Sequence, residues 1–272
     1  MAIVTISRQM GSLGDEIAQK VARRLDTRLV GGDHFHAKAK ECDEDFAKAC
    51  RAFETEVPAG FFESFFMRHP ANTSLFASLV YAEASQGDAV ILGRGSQIVL
   101  AQEPAVLKVR IVAPRHIRVG RLAQRRGISQ EDAATFLGRH DRQRRSLIES
   151  IFHKDLSDWS LYDMVLNTKD LGVALMTEVI CLAAEAAGPI SLRQKTAFAD
   201  LSLAKAVEAA IKKQVMAMPL RDIEVSNQGG GDLVLQGAVQ DNESCKRATA
   251  IAAAHPGVTS VDNRLLTLES AI

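Results

Sequence analysis

The sequence predicts an α/β protein: a parallel sheet with helices on both faces, followed by a small α+β domain with the element order αββαβ. Apolar, β-branched runs alternate with helical patterns over residues 1–190, and such alternation is typical of a parallel sheet covered on both faces. The Gly188-Pro189 pair marks the end of this unit, because glycine and proline interrupt regular structure. We assign residues 1–190 to a first domain, residues 191–199 to a linker and residues 200–272 to a second domain.

The elements of the first domain are predicted from apolar runs and from helical spacing. Ile17, Val21 and Leu25 recur at helical spacing after the first run and predict the first helix. Residues 33–86 are predicted to be helical, with a phenylalanine cluster at residues 61–66 in a packed helical core. The predicted strands are residues 2–7, 27–30, 89–92, 106–113 and 164–167. The later predicted helices are residues 115–126, 129–152 and 171–187.

The second domain is predicted from a strong turn signal between two short strands. The stretch NQGGGD at residues 227–232 favours a tight connection between strands. The predicted elements are a helix at 203–215, strands at 223–225 and 233–239, a helix at 243–254 and a strand at 258–268. This order describes a small α+β sandwich without an obvious catalytic constellation.

The composition argues against several classes of protein. The chain has 33 basic and 33 acidic residues, and a formal net charge of zero argues against broad binding to nucleic acid. No run approaches the roughly 20 apolar residues that span a bilayer, and the N-terminus lacks the basic and apolar regions of a secretory signal. Four cysteines have no CxxC spacing, so reduced thiols are expected. We expect a soluble, cytoplasmic protein without a transmembrane segment.

A phosphate-binding loop is predicted between the first strand and the first helix. The turn Gly11-Ser12-Leu13-Gly14 joins them, and a strand, a glycine turn and a helix N-terminus together make an anion site. A standard loop of this kind carries a lysine after its last glycine, which reaches the terminal phosphates. Here Asp15 and Glu16 follow instead. The positive charge that a phosphate needs must therefore come from elsewhere in the chain.

Arginines from other segments are the candidate source of that charge. In a parallel sheet the ligand cleft lies at the carboxyl ends of the strands, and Arg94 follows the third predicted strand between two glycines. Residues 139–145, RHDRQRR, add four arginines, and Arg118 and Arg121 lie three residues apart on one helix face. The alternatives are a surface ion pair for Arg94 and a solvated helix face for the arginine run.

Asp33 ends the Gly-Gly turn after the second predicted strand, where its carboxylate is placed to meet substrate or a metal-bound water. Capping of the helix that follows is the competing role. His34 and His36 beside it are a weak metal signal. We predict no metal site formed by the protein itself.

Five segments of the chain resemble the cytidylate-kinase-like family of bacterial proteins, which are relatives of the nucleoside monophosphate kinases. They are ITISRQMGSLGDEIAQKVARRL, VILGRGSQIVL, VRIVAPRHIRVGRLAQRRGIS, the HDRQRR run and SLYDMVLNT, all within residues 1–187. The resemblance implies a P-loop kinase fold with a substrate-binding helical insert and an arginine-bearing lid. It also implies transfer of the γ-phosphoryl group of ATP, with Mg²⁺, to a nucleoside monophosphate such as CMP.

The resemblance implies roles for individual residues as well. The loop residues Gly11, Ser12 and Gly14, with Leu13 between them, would hold the nucleotide phosphates together with Arg118. Arg94 would grip the acceptor phosphate, as the arginine of the strand-end GR motif. Arg121 matches an arginine after the strand that precedes the lid, and Asp141 and Arg144 match the D-x-x-R of the lid. The implied catalytic residues are Arg94, Arg121, Asp141 and Arg144.

Two positions depart from the family pattern. Relatives often read GSGGRE where this chain has GSLGDE, so Asp15 stands in place of an arginine. Leu92 stands where true cytidylate kinases have an aspartate before the GR pair. A nucleotide-binding regulator without turnover is therefore an alternative function.

Residues 200–268 resemble a BON domain. The matching features are DLVLQGAV with Gly237 and HPGVTSVDNRL with Gly257. The resemblance implies a protein or lipid partner, with a homo-oligomer contact or simple stabilisation as alternative roles. A third candidate function is thus an interaction protein that acts through this module, and truncation at residue 195 is a first test of it.

Overall fold

The computed structural model describes residues 2–42, 44–52, 71–215 and 222–267. Contacts within the chain divide it into two compact units. The first is Met1–Phe65 with Gly87–Ile190, and the second is Phe66–Gln86 with Ser191–Ile272. The phenylalanine cluster predicted at residues 61–66 lies outside the described residues.

The first unit is built on a five-stranded parallel sheet, as the sequence predicts. Its strands are β1 (Ile3–Arg8), β2 (Arg28–Val30), β3 (Ala89–Leu92), β4 (Val106–Val112) and β5 (Met164–Asn167). Their order across the sheet is β2-β3-β1-β4-β5, with every pairing parallel. β1 is therefore central, and its carboxyl end delivers the chain directly into the predicted phosphate loop.

The helices lie close to their predicted positions, apart from one in the second unit. Ser129 accepts a hydrogen bond from the backbone N–H of Asp132, so it is the N-cap of a lid helix and not its first residue. No single described helix is long and apolar enough to span a membrane. The helices are α1 (Gly14–Arg24), α2 (Gly32–Cys42), α3 (Glu44–Ala52), α4 (Ala71–Ser85), α5 (Ser96–Val99), α6 (Arg115–Arg126), α7 (Gln130–Phe152), α8 (Val173–Ala187), α9 (Leu192–Lys212) and α10 (Asn242–Ala253), and a 3₁₀ turn spans Trp159–Leu161.

One face of the parallel sheet is covered by α1 and α8. Val4 and Ile6 of β1 and Val109 and Ile111 of β4 are buried in that core. Because side chains alternate along a strand, the residues between them point to the opposite face. Ser7 of β1 and Arg110 of β4 are partners in the strand register, and both belong to this second face.

The second unit contains the predicted αββαβ order. The strands are β6 (Glu224–Asn227), β7 (Asp232–Val239) and β8 (Ser260–Thr267), in the order β6-β7-β8. β6 pairs antiparallel with β7, and β7 pairs parallel with β8. Gly237 has a φ of 128°, and a Cβ there would collide with the carbonyl oxygen of Asp222, so β7 needs glycine at this point.

The predicted linker at residues 191–199 is wrong as a local structure, because α9 already begins at Leu192. Ser191 and Gln194 form a capping box: the serine side chain accepts from the N–H of Gln194, and the glutamine side chain accepts from the N–H of Ser191. Two reciprocal bonds of this kind define a helix start. The Ser191 to Gln194 spacing is visible in the sequence, but the Gly188-Pro189 pair before it favoured a linker over a helix start.

α4 belongs to the second unit, although its position in the chain places it within residues 1–190. It packs along α9, where Ser78 and Ser202 exchange side-chain-to-carbonyl hydrogen bonds of 2.9 and 3.0 Å. The rings of Tyr81 and Phe198 stack with centroids 6.4 Å apart. α4 has buried residues on all sides, and such a helix is an interior one, but its pattern cannot name the partner that covers it.

Candidate active site

The loop between β1 and α1 is braced from within. Gly11 and Leu13 have positive φ values of 77° and 65°, and leucine seldom adopts that conformation. A Cβ at residue 11 would lie 2.9 Å from the backbone oxygen of Arg118, so the close approach requires glycine. The buried Ser12 donates to the carbonyl oxygen of Gln9 from its hydroxyl at 2.7 Å and from its N–H at 3.1 Å. The Ser12 side chain thus stabilises the loop.

The start of α1 offers backbone donors to a ligand. α1 begins at Gly14, and its N-cap, Leu13, provides no side-chain hydrogen bond. The first N–H groups of a helix have no partner within the helix, and the helix dipole places positive potential around them. This geometry suits an anion such as phosphate.

Arg8 lies beside this helix start and was missed by the sequence analysis. It is the last residue of β1, and its Nε and Nη2 donate to Asp15 Oδ1 at 3.1 and 2.9 Å. A Cβ at Gly14 would collide with the Arg8 side chain, and a Cβ at Gly93 would collide with Arg8 Nη1. The same position at Gly93 lies 2.8 Å from Arg144 Nη2. Arg8 and Arg144 therefore bring two guanidinium groups together over one glycine.

The two carboxylates that follow the loop are each paired with a cation. Asp15 pairs with Arg8, and its side chain is 55% exposed. Glu16 pairs with Lys20 one helical turn later at 3.1 Å. These ion pairs reduce the repulsion that two free carboxylates would exert on a phosphate in the loop.

Arg118 and Asp141, both predicted site residues, bind each other. Arg118 Nη1 and Nη2 donate to the two carboxylate oxygens of Asp141 at 3.1 and 2.9 Å. Arg118 also donates to the carbonyl oxygens of Ala113 and Met10 at 3.1 and 3.3 Å. A bidentate pair of this type is strong and directional. It attaches α7, the lid helix, to the segments that follow β1 and β4.

Arg121 holds the loop through its carbonyl groups. Its Nη1 donates to Gly11 O at 3.3 Å and to the Thr168 hydroxyl at 3.0 Å, and its Nη2 donates to Thr168 O at 2.6 Å. Thr168 in turn donates to Ser12 O at 2.9 Å. Arg121 was predicted to be catalytic; in this structure it contacts the loop and Thr168, and the catalytic role stays a prediction.

A cavity of about 210 Å³ lies at this edge of the sheet, bounded by β1, β4, α7 and the segment before β5. The cationic side chains in its wall outnumber the acidic ones. Asp141 is paired with Arg118, and Asp155 accepts hydrogen bonds from Ser157 that lower the pKa of its carboxyl group and keep it ionised, so two carboxylates face five arginines. The cavity is therefore suited to an anionic ligand. Its wall includes Arg8, Arg110, Arg118, Arg144 and Arg145, with Asp141, Asp155 and Trp159.

Two predicted substrate residues are not among the described residues that line this cavity. Arg94 is 1% exposed and has a φ of 60° between Gly93 and Gly95. Asp33 lies in the first turn of α2 and is exposed. Their roles in binding an acceptor stay predictions. The structure thus brings Asp141, Arg144 and Arg118 together with Arg8 and Arg110.

Several residues of the site were not found from the sequence: Arg8, Arg110, Thr168 and, in the cavity wall, Asp155 and Trp159. Arg8 had a signal, since a charged residue directly before a glycine loop stands at the carboxyl end of a strand. Arg110 also had one, because it interrupts an otherwise apolar parallel strand. Thr168 had none, since a threonine after a strand is common.

The described residues contain no group of three or more histidine, cysteine or acidic side chains that could hold a metal ion.

The fold and the site together define a class. A central strand, a glycine-containing loop and an uncapped helix start, with arginines gathered at the same edge, are the parts of a P-loop kinase. Residues 3–170 match the model of the Cytidylate kinase-like family, and the chain belongs to that family. Residues 199–268 match the BON domain.

Curated proteins named cytidylate kinase are similar to this chain at low sequence identity. The cytidylate kinase of Pyrococcus horikoshii is 27% identical over 167 residues, which cover 61% of this chain and 79% of the relative. The cytidylate kinase of Pyrobaculum aerophilum is 28% identical over 174 residues, covering 64% and 87%. Among solved structures, an uncharacterized protein from Eubacterium ventriosum matches with a TM-score of 0.50 at 20% identity, over 68% of this chain and 99% of that chain. This structural likeness concerns the fold alone.

Proposed function

We propose that the protein transfers the γ-phosphoryl group of Mg-ATP to a nucleoside monophosphate, with CMP as the first candidate acceptor. The observation that carries the proposal is the gathering of arginines in one cavity beside an uncapped helix start. Phosphoryl transfer depends mainly on positioning and on neutralising charge around the transferred group. A cavity of this kind supplies both.

Arg8 takes the part that a lysine plays in a standard phosphate loop. Its side chain crosses Gly14 at the start of α1 and reaches the cavity. Its present acceptor is a single oxygen of Asp15. A β- or γ-phosphate at the helix start offers more acceptors and more charge than this half-exposed carboxylate, so Arg8 exchanges Asp15 for the phosphate.

Trp159 supplies both an argument for a nucleotide and a probe. It is the single tryptophan of the chain, it lies in the cavity wall, and it is 60% exposed. An exposed indole beside bound phosphates is placed to stack on a base, an interaction that every base can make. Nucleotide binding should therefore change its fluorescence.

The first experiment is a product assay with the purified full-length chain. The protein is incubated with Mg-ATP and, separately, with CMP, dCMP, UMP, AMP and GMP, and nucleoside diphosphates are separated by chromatography. We expect product with at least one acceptor above the ATP-only control. Absence of product for all five acceptors rejects the proposal. For the arginine variants tested in the same assay, the matched control is Arg24→Met, which changes a surface pair with Glu178.

Replacement of Asp15 by asparagine is expected to lower the KM for ATP by about 2- to 5-fold. The variant removes a negative charge near the phosphates and frees Arg8, and an exposed pair of this kind is worth up to about 1 kcal/mol. Steady-state kinetics at saturating acceptor measure the effect. Glu178→Gln, which changes the surface pair with Arg24, is the control. A raised KM for Asp15→Asn would contradict the role of Arg8.

A regulator that binds nucleotide without turnover is the second candidate. It is favoured by the partners that Arg8 and Arg118 already have, Asp15 and Asp141, which a ligand must displace or share. A change in Trp159 emission on addition of Mg-ATP, without product in the assay above, would select this function.

The interaction-protein alternative needs a different test from the one that the sequence offered. A cut at residue 195 would divide α9 and remove Phe198, Ser202 and Glu208, which are partners of α4. Loss of function after that truncation would therefore report a lost helix partner as readily as a lost binding surface. The protein or lipid partner, the homo-oligomer and the cytoplasmic localisation stay predictions.

A further inference from the structure

Arg110 is a buried cation without a buried anion beside it. It lies on β4 and is 8% exposed. Its Nη1 donates to the Ser7 hydroxyl at 2.6 Å, and its guanidinium lies 5.7 Å from the ring centroid of Tyr162. Within the described residues its Nε is buried without a hydrogen-bond partner, and no carboxylate lies within ion-pair distance. Burial of a charge that has no ion-pair partner is unfavourable. A role in packing alone therefore does not explain why an arginine stands at this position.

Lys108 shows that the same strand can satisfy such a charge. It lies two residues earlier on the same face and is also 8% exposed. Its ammonium donates to the carbonyl oxygens of Glu103 and Val106 at 3.2 and 3.0 Å and lies 3.6 Å from Asp163. Lys108 therefore has the contacts of a structural residue, and Arg110 does not.

The surroundings of Arg110 explain what it lacks. It lines the cavity together with Arg8 and Arg118. Neither aspartate of the cavity wall forms an ion pair with Arg110: Asp141 pairs with Arg118, and Asp155 accepts hydrogen bonds from Ser157 and keeps its charge. Burial lowers the pKa of the Arg110 guanidinium, although arginine keeps its charge near neutral pH. An anion that enters the cavity would contact the Arg110 guanidinium in its wall.

We propose that Arg110 binds the phosphate of the acceptor nucleotide. The proposal rests on the proposed function and assigns its second phosphate subsite. Arg110 projects from the sheet face opposite α1, whereas the loop and the helix start hold the ATP phosphates. Arg8, at the carboxyl end of β1, lies against Gly14 at the helix start and lines the cavity together with Arg110. An acceptor phosphate on Arg110 and a donor phosphate on α1 would thus approach each other at Arg8.

The test compares Arg110→Met with Lys108→Met in the full-length chain. Melting temperatures are measured alone, with inorganic phosphate and with CMP, and KM values are measured for both substrates. We expect Arg110→Met to melt no lower than the wild type, because it removes an uncompensated buried charge. We expect it to lose the ligand-induced rise in melting temperature and to raise the KM for the acceptor about 100-fold, with the KM for ATP changed less than 3-fold. Lys108→Met should melt lower than the wild type.

The outcomes separate this proposal from the proposed function. If the wild type forms product and Arg110→Met keeps the acceptor KM, the subsite assignment fails and the kinase function stands. If the wild type forms no product but its phosphate- and CMP-induced shifts depend on Arg110, the subsite stands and the kinase function fails. If neither ligand shifts the wild type, or if Arg110→Met melts as low as Lys108→Met and keeps the shifts, Arg110 is a structural residue.

Discussion

Arg8→Met is expected to lower kcat/KM for phosphoryl transfer by about 10²- to 10³-fold, the usual loss when one charged donor is removed from such a site. The Arg8 side chain lies against Gly14 at the uncapped start of α1, where a standard phosphate loop would place its lysine. Steady-state kinetics with Mg-ATP and the best acceptor measure the loss. Arg24→Met, in a surface pair with Glu178, should retain the wild-type rate.

Two further variants make the role of Arg8 specific. Arg8→Lys should recover part of the lost rate, because an ammonium can reach a phosphate but cannot form the paired bonds of a guanidinium. The melting temperature of Arg8→Met should change little, since its pair with the exposed Asp15 is worth at most about 1 kcal/mol. A kcat/KM within 3-fold of the wild type for Arg8→Met would contradict the proposal that Arg8 replaces the lysine of a standard phosphate loop.

Glu208→Gln is expected to lower the free energy of unfolding of the second unit by about 3–5 kcal/mol, because it breaks a buried charge network on one side. Glu208 is 3% exposed and accepts hydrogen bonds from four groups. One of them, Lys212, has a side chain that is 7% exposed, and it would keep only its exposed partner Asp222. The four donors are the Ser74 hydroxyl at 2.6 Å, Lys205 Nζ at 2.7 Å, Lys212 Nζ at 3.1 Å and the Val225 N–H at 3.2 Å.

Chemical denaturation followed by circular dichroism measures this loss. Asp262→Asn, which removes an exposed pair with Arg264, is the matched control and should change stability by less than about 0.5 kcal/mol. Equal stabilities of Glu208→Gln and Asp262→Asn would show that the network around Glu208 contributes nothing net.

The same network gives a pH dependence with a definite sign. Burial by itself raises the pKa of Glu208, but Lys205 and Lys212 outweigh it and leave the pKa below its ordinary value. The stability that the carboxylate contributes is therefore present above the ordinary glutamate pKa of about 4.3, and it is lost as the pH falls through the lowered folded value. Glu208→Gln should accordingly lose less stability than the wild type between about pH 5 and the acid limit.

The sequence predicted most elements of the fold because their signals are local. The apolar runs of β3 and β5 were located residue for residue, and the αββαβ order of the second unit followed from its turn residues. The start of α9 was missed because a Gly-Pro break outweighed a capping box three residues later. α4 was assigned to the first domain, whereas it belongs to the second unit. A helix with buried residues on all sides does not indicate which element covers it.

The site was predicted less completely than the fold. The loop at residues 11–14 and the cationic run of α7 were found, because glycine spacing and charge density are visible in a sequence. Arg8 and Arg110 were missed, since a single arginine at a strand end or within a strand has many ordinary roles. Arg121 contacts Gly11 and Thr168, and the catalytic role that the sequence predicted for it stays a prediction.

The sequence by itself determined most of the secondary structure, the family and the place of the glycine loop between β1 and α1, because each depends on residues close together in the chain. Only the tertiary structure decided which charges are neutralised. Arg110 meets Ser7 across 103 residues, and Ser74 meets Glu208 across 134. The sequence does not distinguish an arginine that pairs with a carboxylate from an arginine that faces a cavity. Their free energies differ because burial and pairing, which set the strength of a charge in a protein, arise only when distant segments pack together.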